Sequence, residues 1–355
     1  SIDNAGQVTG LSTGVAEIKV SSQDGTVSSS VTITVVKPSV SYQSHIQNVG
    51  WQSFAKDGAM SGTQGKSLRL EAIKIKLDDV THSGHINYQV HIQNVGWQVV
   101  NGKPYVSDGA VAGTTGQAKR MEAIKITLTD ELVAHYDIYY RVHIQNIGWL
   151  SWAKNGEAAG SQGIAARLEG IEIQLLPKGT ANLDQSRPFV SPATLSYQTH
   201  IQDMGWTGIK NNNDISGTTG LERRLEALKV MTSQSNLSGA IVYQTHIQDI
   251  GWQSKVSNGG ISGTTGQSKR IEAVNISLTG ELSYYYDVYY RVHVQDKGWL
   301  LWAKNGGNAG SSGASKRLEA LQIQLVLKEN PGPATGRAFL TADDFKPWIG
   351  KPYYY

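Results

Sequence analysis

The sequence predicts an all-β protein made of two pseudo-threefold β modules, each of three repeats, with a partial β segment ahead of them. Three observations predict it. The phrase "HIQNVGWQ" at His45 returns in close variants at His91, His143, His200, His246 and His293. The strands around it alternate polar and apolar residues with period two, and helical periodicity is absent throughout. Gly is abundant, at 39 of 355 residues, while charged residues are only 17%, a balance that suits turns and strands.

Composition also excludes several classes. The chain is long enough for two or three domains, each with its own core. Its formal charge of +3 is slight, and the lysines and arginines are spread along the repeats, so nucleic acid is not an expected partner. No run of 18 apolar residues occurs, so no membrane insertion is expected. The absence of cysteine excludes disulfides and thiolate metal sites, and suits a secreted protein held by packing alone. A signal peptide is not seen, and the opening "SIDNAGQVTG" reads as a piece cut from something longer.

From the N-terminus, residues 1–37 end in alternating strands ("VAEIKVSSQDGTVSSSVTITVV"). Residues 38–178 and 195–328 then hold three copies each. Every copy joins "YQxHIQNxGW" to a Gly-rich loop and a "RLEAIxIxL" phrase, as in "GTQGKSLRLEAIKIKL" from Gly62. The third and sixth copies match best ("DIYYRVHIQNIGWLSWAKNG", "DVYYRVHVQDKGWLLWAKNG"), and the second and fifth share a "TDEL" or "TGEL" loop, so a triad is written twice. Residues 179–194 read as a linker with no repeat signal, and 329–355 as a tail without repeat character.

Within a copy, Tyr42, Ser44 and Ile46 face a core, with Gln43, His45 and Gln47 on the other face. In "AIKIKL" Ile73, Ile75 and Leu77 share a face with lysines opposite, and Gly62 and Gly65 mark a turn of positive φ before that strand. Strict alternation puts Arg69 and Glu71 on the apolar face of Ile73, where charges need partners or a bulge. His-to-Glu or Arg-to-Glu contacts in every copy would satisfy that need. One copy cannot cover its own apolar face, whereas three about a common axis can. A β-prism of three sheets is favoured, with a β-trefoil as the alternative.

Enzymatic machinery is not expected, because no nucleophile elbow, phosphate loop or metal-ligand spacing occurs and a catalyst seldom needs six copies. Nor is any cofactor or metal. The candidate carbohydrate-binding residues are the tryptophans and the residue after Gln: Asn48 and Trp51, Asn94 and Trp97, Asn146 and Trp149, Asp203 and Trp206, Asp249 and Trp252, Asp296 and Trp299. Each Trp reads either as an aromatic platform for sugars or as a plug in the seam between repeats, its occurrence in every copy favouring the seam. His45 and Gln47 with their counterparts read as a pocket for sugar hydroxyls or as part of the Arg–Glu network. Trp152 and Trp302, matched by Phe54, read as core or half-core. The coordinated change from Asn to Asp between triads reads as two ligand preferences, with calcium a minor alternative. The variable loops between the repeat halves ("SFAKDGAMSG", "TGIKNNNDISG") are where recognition is expected.

Taken together, "HIQNVGWQ", the Gly loop and "RLEAIKI" resemble the clostridial hydrophobic repeats with conserved tryptophan, the ChW repeats, over most of residues 41–327. The phrase "GxxGxxxRLEAIxI" also looks like that of jacalin-type prism lectins, which supports the prism. Residues 1–36 are similar to the closing half of a bacterial immunoglobulin-like domain of group 2. These resemblances imply a multidomain bacterial protein, secreted or attached to a Gram-positive surface. They imply attachment to surfaces, glycans or other proteins, and no catalytic residues. The expected function is non-catalytic, multivalent, lectin-like carbohydrate binding or adhesion, with glycans or cell-surface polysaccharide as partners. A structural or protein-interaction scaffold for other surface proteins is the alternative.

Overall fold

The computed structural model describes residues 2–346 apart from Asn4, Leu11 and Gln234. Of the tail's aromatic end, only Phe345 and Lys346 fall within it; the remainder of "FKPWIGKPYYY" lies outside the described residues. The chain forms two compact units, 1–160 with 167–189 and 161–166 with 190–355. The description is all-β, with antiparallel sheets predominating.

The N-terminal segment is a hairpin, Gly14–Ser21 against Ser28–Val35, in register from Gly14↔Val35 to Ser21↔Ser28. Alternation puts Ala16, Ile18 and Val20 on one face with Val31, Ile33 and Val35. That face is partly covered: Ile18, Ile33 and Val35 are half-buried and line a cavity with Ile2, Val8 and Gly10, while Val20 is 68% and Val31 57% exposed.

In the first repeat an opening strand, Ser39–Ile46, pairs with a closing strand, Leu70–Asp78. Between them, Gly50–Trp51 and Ala55–Lys56 pair back onto the opening strand. The next two residues of strand, Ser61–Gly62, leave the repeat and pair with Gly170 and Ile171 in the closing strand of repeat three. Repeat two gives Ala112–Gly113 to repeat one, and repeat three gives Ala159 and Gly160 to repeat two. The handover is cyclic, and repeats four to six reproduce it. Among the described residues no sheet closes on itself; each triad is three sheets, one per repeat. This is the arrangement of a prism, while the closed barrel of a trefoil is not formed.

A tyrosine at the centre of each opening strand locks the ring. Tyr42 Oη accepts a hydrogen bond from Ile173 N–H of repeat three (3.0 Å) and donates to Ala59 O of its own repeat. Tyr88 does the same with Ile75 N–H and Ala110 O, Tyr197 with Ile323 and Asp214, and Tyr243 with Val230 and Gly260. Tyr140 and Tyr290 stand likewise against Ile126 and Ile276. Burial pushes the hydroxyls of Tyr42, Tyr88 and Tyr290 up to about 12. Period two read these residues only as apolar core; their hydroxyls make the joints between repeats.

The sequence-based reading foresaw no helix, yet Leu132–His135 and Leu282–Tyr285 each make one turn inside the "TDEL" and "TGEL" loops. Buried Leu132 anchors the first, and Glu131 beside it accepts from Ser83 N–H. The tail is also corrected. Arg337-Ala338-Phe339-Leu340 repeats Arg187-Pro188-Phe189-Val190 of the linker, and the two do the same work. Gly160 N–H donates to Pro188 O, and Gly310 N–H to Ala338 O, both at 2.9 Å. Phe189–Val190 lies beside Ala159–Ser161, and Phe339–Leu340 runs parallel to Gly310 and Ser311. Each triad therefore ends in a strap laid back across its third repeat.

Candidate binding face

The polar face of each sheet is organised by one bulge. The opening and closing strands of repeat one pair His45 with Ala72 and Ile46 with Leu70, so Glu71 is left over. The same residue is left over in every repeat: Glu122, Glu169, Glu226, Glu272 and Glu319. A bulge reverses alternation locally. Leu70 takes the core position, and Glu71 turns away from Ile73 toward the side of His45.

There the carboxylate meets both expected partners. His Nδ1 lies 3.0–3.3 Å from Glu Oε2 in all six copies. Arg Nη2 lies 2.7–2.9 Å from Oε1. Only His200 approaches in line enough for a hydrogen bond; in the other five Nδ1 is buried beside the carboxylate without hydrogen-bond geometry. The glutamates are 5–6% exposed. Their backbone carries the joint onward: Thr63 N–H of repeat one donates to Glu169 O of repeat three at 2.7 Å. A Cβ on Gly62, whose φ is +129°, would stand 2.4 Å from that carbonyl. Gly is needed here because a neighbouring backbone passes, which is a stricter reason than a turn.

The tryptophans sit on the outer side of this network and do not plug the seam. Each is paired across the strand with its His, as Trp51 with His45. The indole meets the imidazole edge to face, with centroids 5.3–5.6 Å apart and planes at 78–85°. The glutamate fixes the imidazole, and the imidazole fixes the indole. Five are half-buried, and Trp252 is 37% exposed.

A cation lies over most of them, a feature the sequence reading missed. Lys74 Nζ is 4.6 Å from the Trp51 centroid, Lys125 4.4 Å from Trp97, and Lys229 4.3 Å from Trp206. In repeat three Arg141 stands between Trp149 (4.9 Å) and Trp152 (4.8 Å), and its Nε reaches Glu172 at 2.7 Å. Arg291 stands likewise between Trp299 and Trp302, with Gln322 in place of the glutamate. Repeat five has Asn275 where repeats one, two and four have Lys, and among the described residues Trp252 has no cation over it. The signal was present: the lysines of "AIKI" share the face of Gln43 and His45, since Lys74 pairs with Gln43. Trp152 is 8% exposed and Trp302 half-buried, as read; Phe54 at that position is 48% exposed.

Asn48, Asn94, Asn146, Asp203, Asp249 and Asp296 are exposed at turn tips three residues before each Trp. All have φ between 59° and 65°. Asn and Asp tolerate this left-handed region better than other non-glycine residues, which accounts for the restriction to these two. The change from Asn to Asp has a local partner. Asp203 pairs with Arg223, Asp249 with Lys269 (3.3 Å) and Asp296 with Lys316 (2.6 Å). The corresponding residues of the first triad are Leu68, Lys119 and Ala166. The aspartates do not converge, and among the described residues no cluster of three or more His, Cys, Asp or Glu is placed to hold a metal.

The variable loops are pinned at their ends. Asp57 Oδ1 accepts from Val40 N–H, Asp108 from Ile86, Asn155 from Ile138 and Asn305 from Val288. Behind the third repeat's loop, Asp137 is 1% exposed and meets Lys154 and Lys178 at 3.0 Å. Burial alone would raise its pKa; Gly179 N–H, Asn155 and the two lysines hold it well below the usual carboxylate range.

Comparison with protein families gives one finding. The family model of Clostridial hydrophobic W (ChW) matches residues 45–79, 91–130, 143–177, 200–233, 246–280 and 293–326, more than half of the chain. No curated protein and no solved structure matches. Among the described residues no helix is long and apolar enough to cross a membrane. The chain belongs to the ChW family.

Proposed function

We propose that this ChW protein is a non-catalytic, multivalent carbohydrate-binding module that acts outside the cell or at its surface, in adhesion to glycans or cell-surface polysaccharide. One observation carries the reading. Six tryptophans stand at the outer face, each packed edge to face on a histidine that lies beside a buried glutamate, and each three residues after an exposed Asn or Asp. The joints between repeats that the structure describes are made by the tyrosine hydroxyls and the glutamate carbonyls, and the indoles stand outside them. A planar aromatic beside turn-tip amides or carboxylates is the chemistry that recognises a sugar ring and its hydroxyls. Each site is shallow, so affinity per site is weak, and repetition within one chain raises it through multivalency by roughly 10² to 10⁴.

The test is a glycan array probed with the intact chain, repeated with Trp51→Ala and Trp97→Ala. The reading expects binding that weakens in the variants while their melting temperature is kept. Absence of any glycan ligand sinks it.

The N-terminal hairpin favours a second reading. Its partly exposed apolar face would suit a partner sheet, as in half of an immunoglobulin-like sandwich, and this supports a scaffold that binds other surface proteins as the alternative. Capture of a purified surface protein, with no glycan bound, supports that alternative.

A further inference from the structure

The six tryptophan sites are not equivalent, and the cations over them sort them. In repeats three and six the arginine is enclosed between two indoles and bonded to Glu172 or Gln322, so its charge is engaged within the protein. In repeats one, two and four a lysine lies over a single indole. Among the described residues, none of Lys74, Lys125 and Lys229 has an acidic partner within ion-pair distance. Each is half-buried, with its ammonium held in place by the ring beneath it. An ammonium 4.3–4.6 Å above an indole also denies that face to the C–H bonds of a neutral sugar. What the site presents instead is a positioned cation on an aromatic base, beside a turn-tip Asn or Asp.

We propose that Trp51–Lys74, Trp97–Lys125 and Trp206–Lys229 recognise an acidic polysaccharide, the ammonium pairing with a carboxylate on the sugar ring. The proposal rests on the carbohydrate reading and narrows its ligand class. The fourth repeat adds a second observation. Lys229 lines a cleft of about 40 Å³ with Ser196, Gln198, Ile209 and Met231, room for about one small polar group. Ile209 and Met231 are 68% and 45% exposed and form an apolar wall beside the cation.

The test titrates the intact chain with polygalacturonate and with dextran, at low salt and at 0.5 M salt. Polygalacturonate binding is expected, weakened roughly tenfold or more by salt. The triple variant Lys74→Gln, Lys125→Gln, Lys229→Gln should lose binding by a similar factor, and Lys→Arg at the same positions should restore it. A charge-matched control, Lys19→Gln, Lys103→Gln, Lys255→Gln, should bind as the parent does. Equal loss in the control overturns the proposal, because net charge alone then explains binding. Dextran bound in preference overturns it while leaving the carbohydrate reading intact. Neither polymer bound, with an empty glycan array, removes both.

Discussion

The two triads repeat each other in the interior and diverge where side chains reach water. Tyr, bulged Glu and Gly occupy the same places in all six copies, with the same partners around each ring. At the surface the first triad has unpaired-charge-free Asn turns, and the second has Asp turns each facing its own cation. A buried position differs as well. Asp137 is 1% exposed between two lysines, while Asp287 is 9% exposed with Lys304 alone at ion-pair distance. The difference teaches that the joints tolerate no change, because a neighbouring backbone leaves no latitude, while the Trp–His pair is kept as well although it stands outside them. Variation is found at the exposed turns, where side chains have room to change.

The largest test of that likeness is alkaline. The buried tyrosines stay neutral in the folded ring to about 12, as at Tyr42, Tyr88 and Tyr290. In the unfolded chain they ionise near 10. Above pH 10 the unfolded state therefore binds fewer protons, and stability falls as pH rises. Both triads should lose their near-ultraviolet tyrosine signal between about pH 10 and 12; one triad surviving intact breaks the likeness.

Next in size, Glu71→Ala and Glu226→Ala should each cost about 2 to 4 kcal/mol by denaturant melts, because each leaves a part-buried Arg without its partner. Equal costs sharpen the comparison, and markedly unequal ones refute a common joint. Below that, Asp137→Asn should cost about 2 kcal/mol and Asp287→Asn about 1, following their lysines and burial. Asp137 adds stability above the unfolded carboxylate value, lost as pH falls through its lower folded one. The smallest effect is expected from Asp203→Asn, Asp249→Asn and Asp296→Asn, each within about 0.5 kcal/mol, since these pairs are exposed.

Much of this was legible in the sequence. Six copies in two triads followed from the repeated phrase, and the His–Glu–Arg network followed from charges at apolar positions of an alternating strand. What alternation could not reveal was closure. The two partners of Tyr42 Oη are 17 and 131 residues away, and only the ring brings them together. The seam was accordingly assigned to Trp, the more conspicuous residue. The Asn-to-Asp change was readable in principle, because its cations recur 20 residues on in each copy of the second triad. The strap escaped notice because four residues, Arg-x-Phe-x, are too short to register as a repeat without the strand they pair with.

The most direct test is to record the indole N–H resonances of the intact chain, assigned by single Trp→Phe variants, while an acidic oligosaccharide is added. The account predicts that Trp51, Trp97 and Trp206 shift together and saturate, while Trp149 and Trp299, closed by their arginines, stay in place. Shifts at Trp149 and Trp299, or at all six alike, would contradict it.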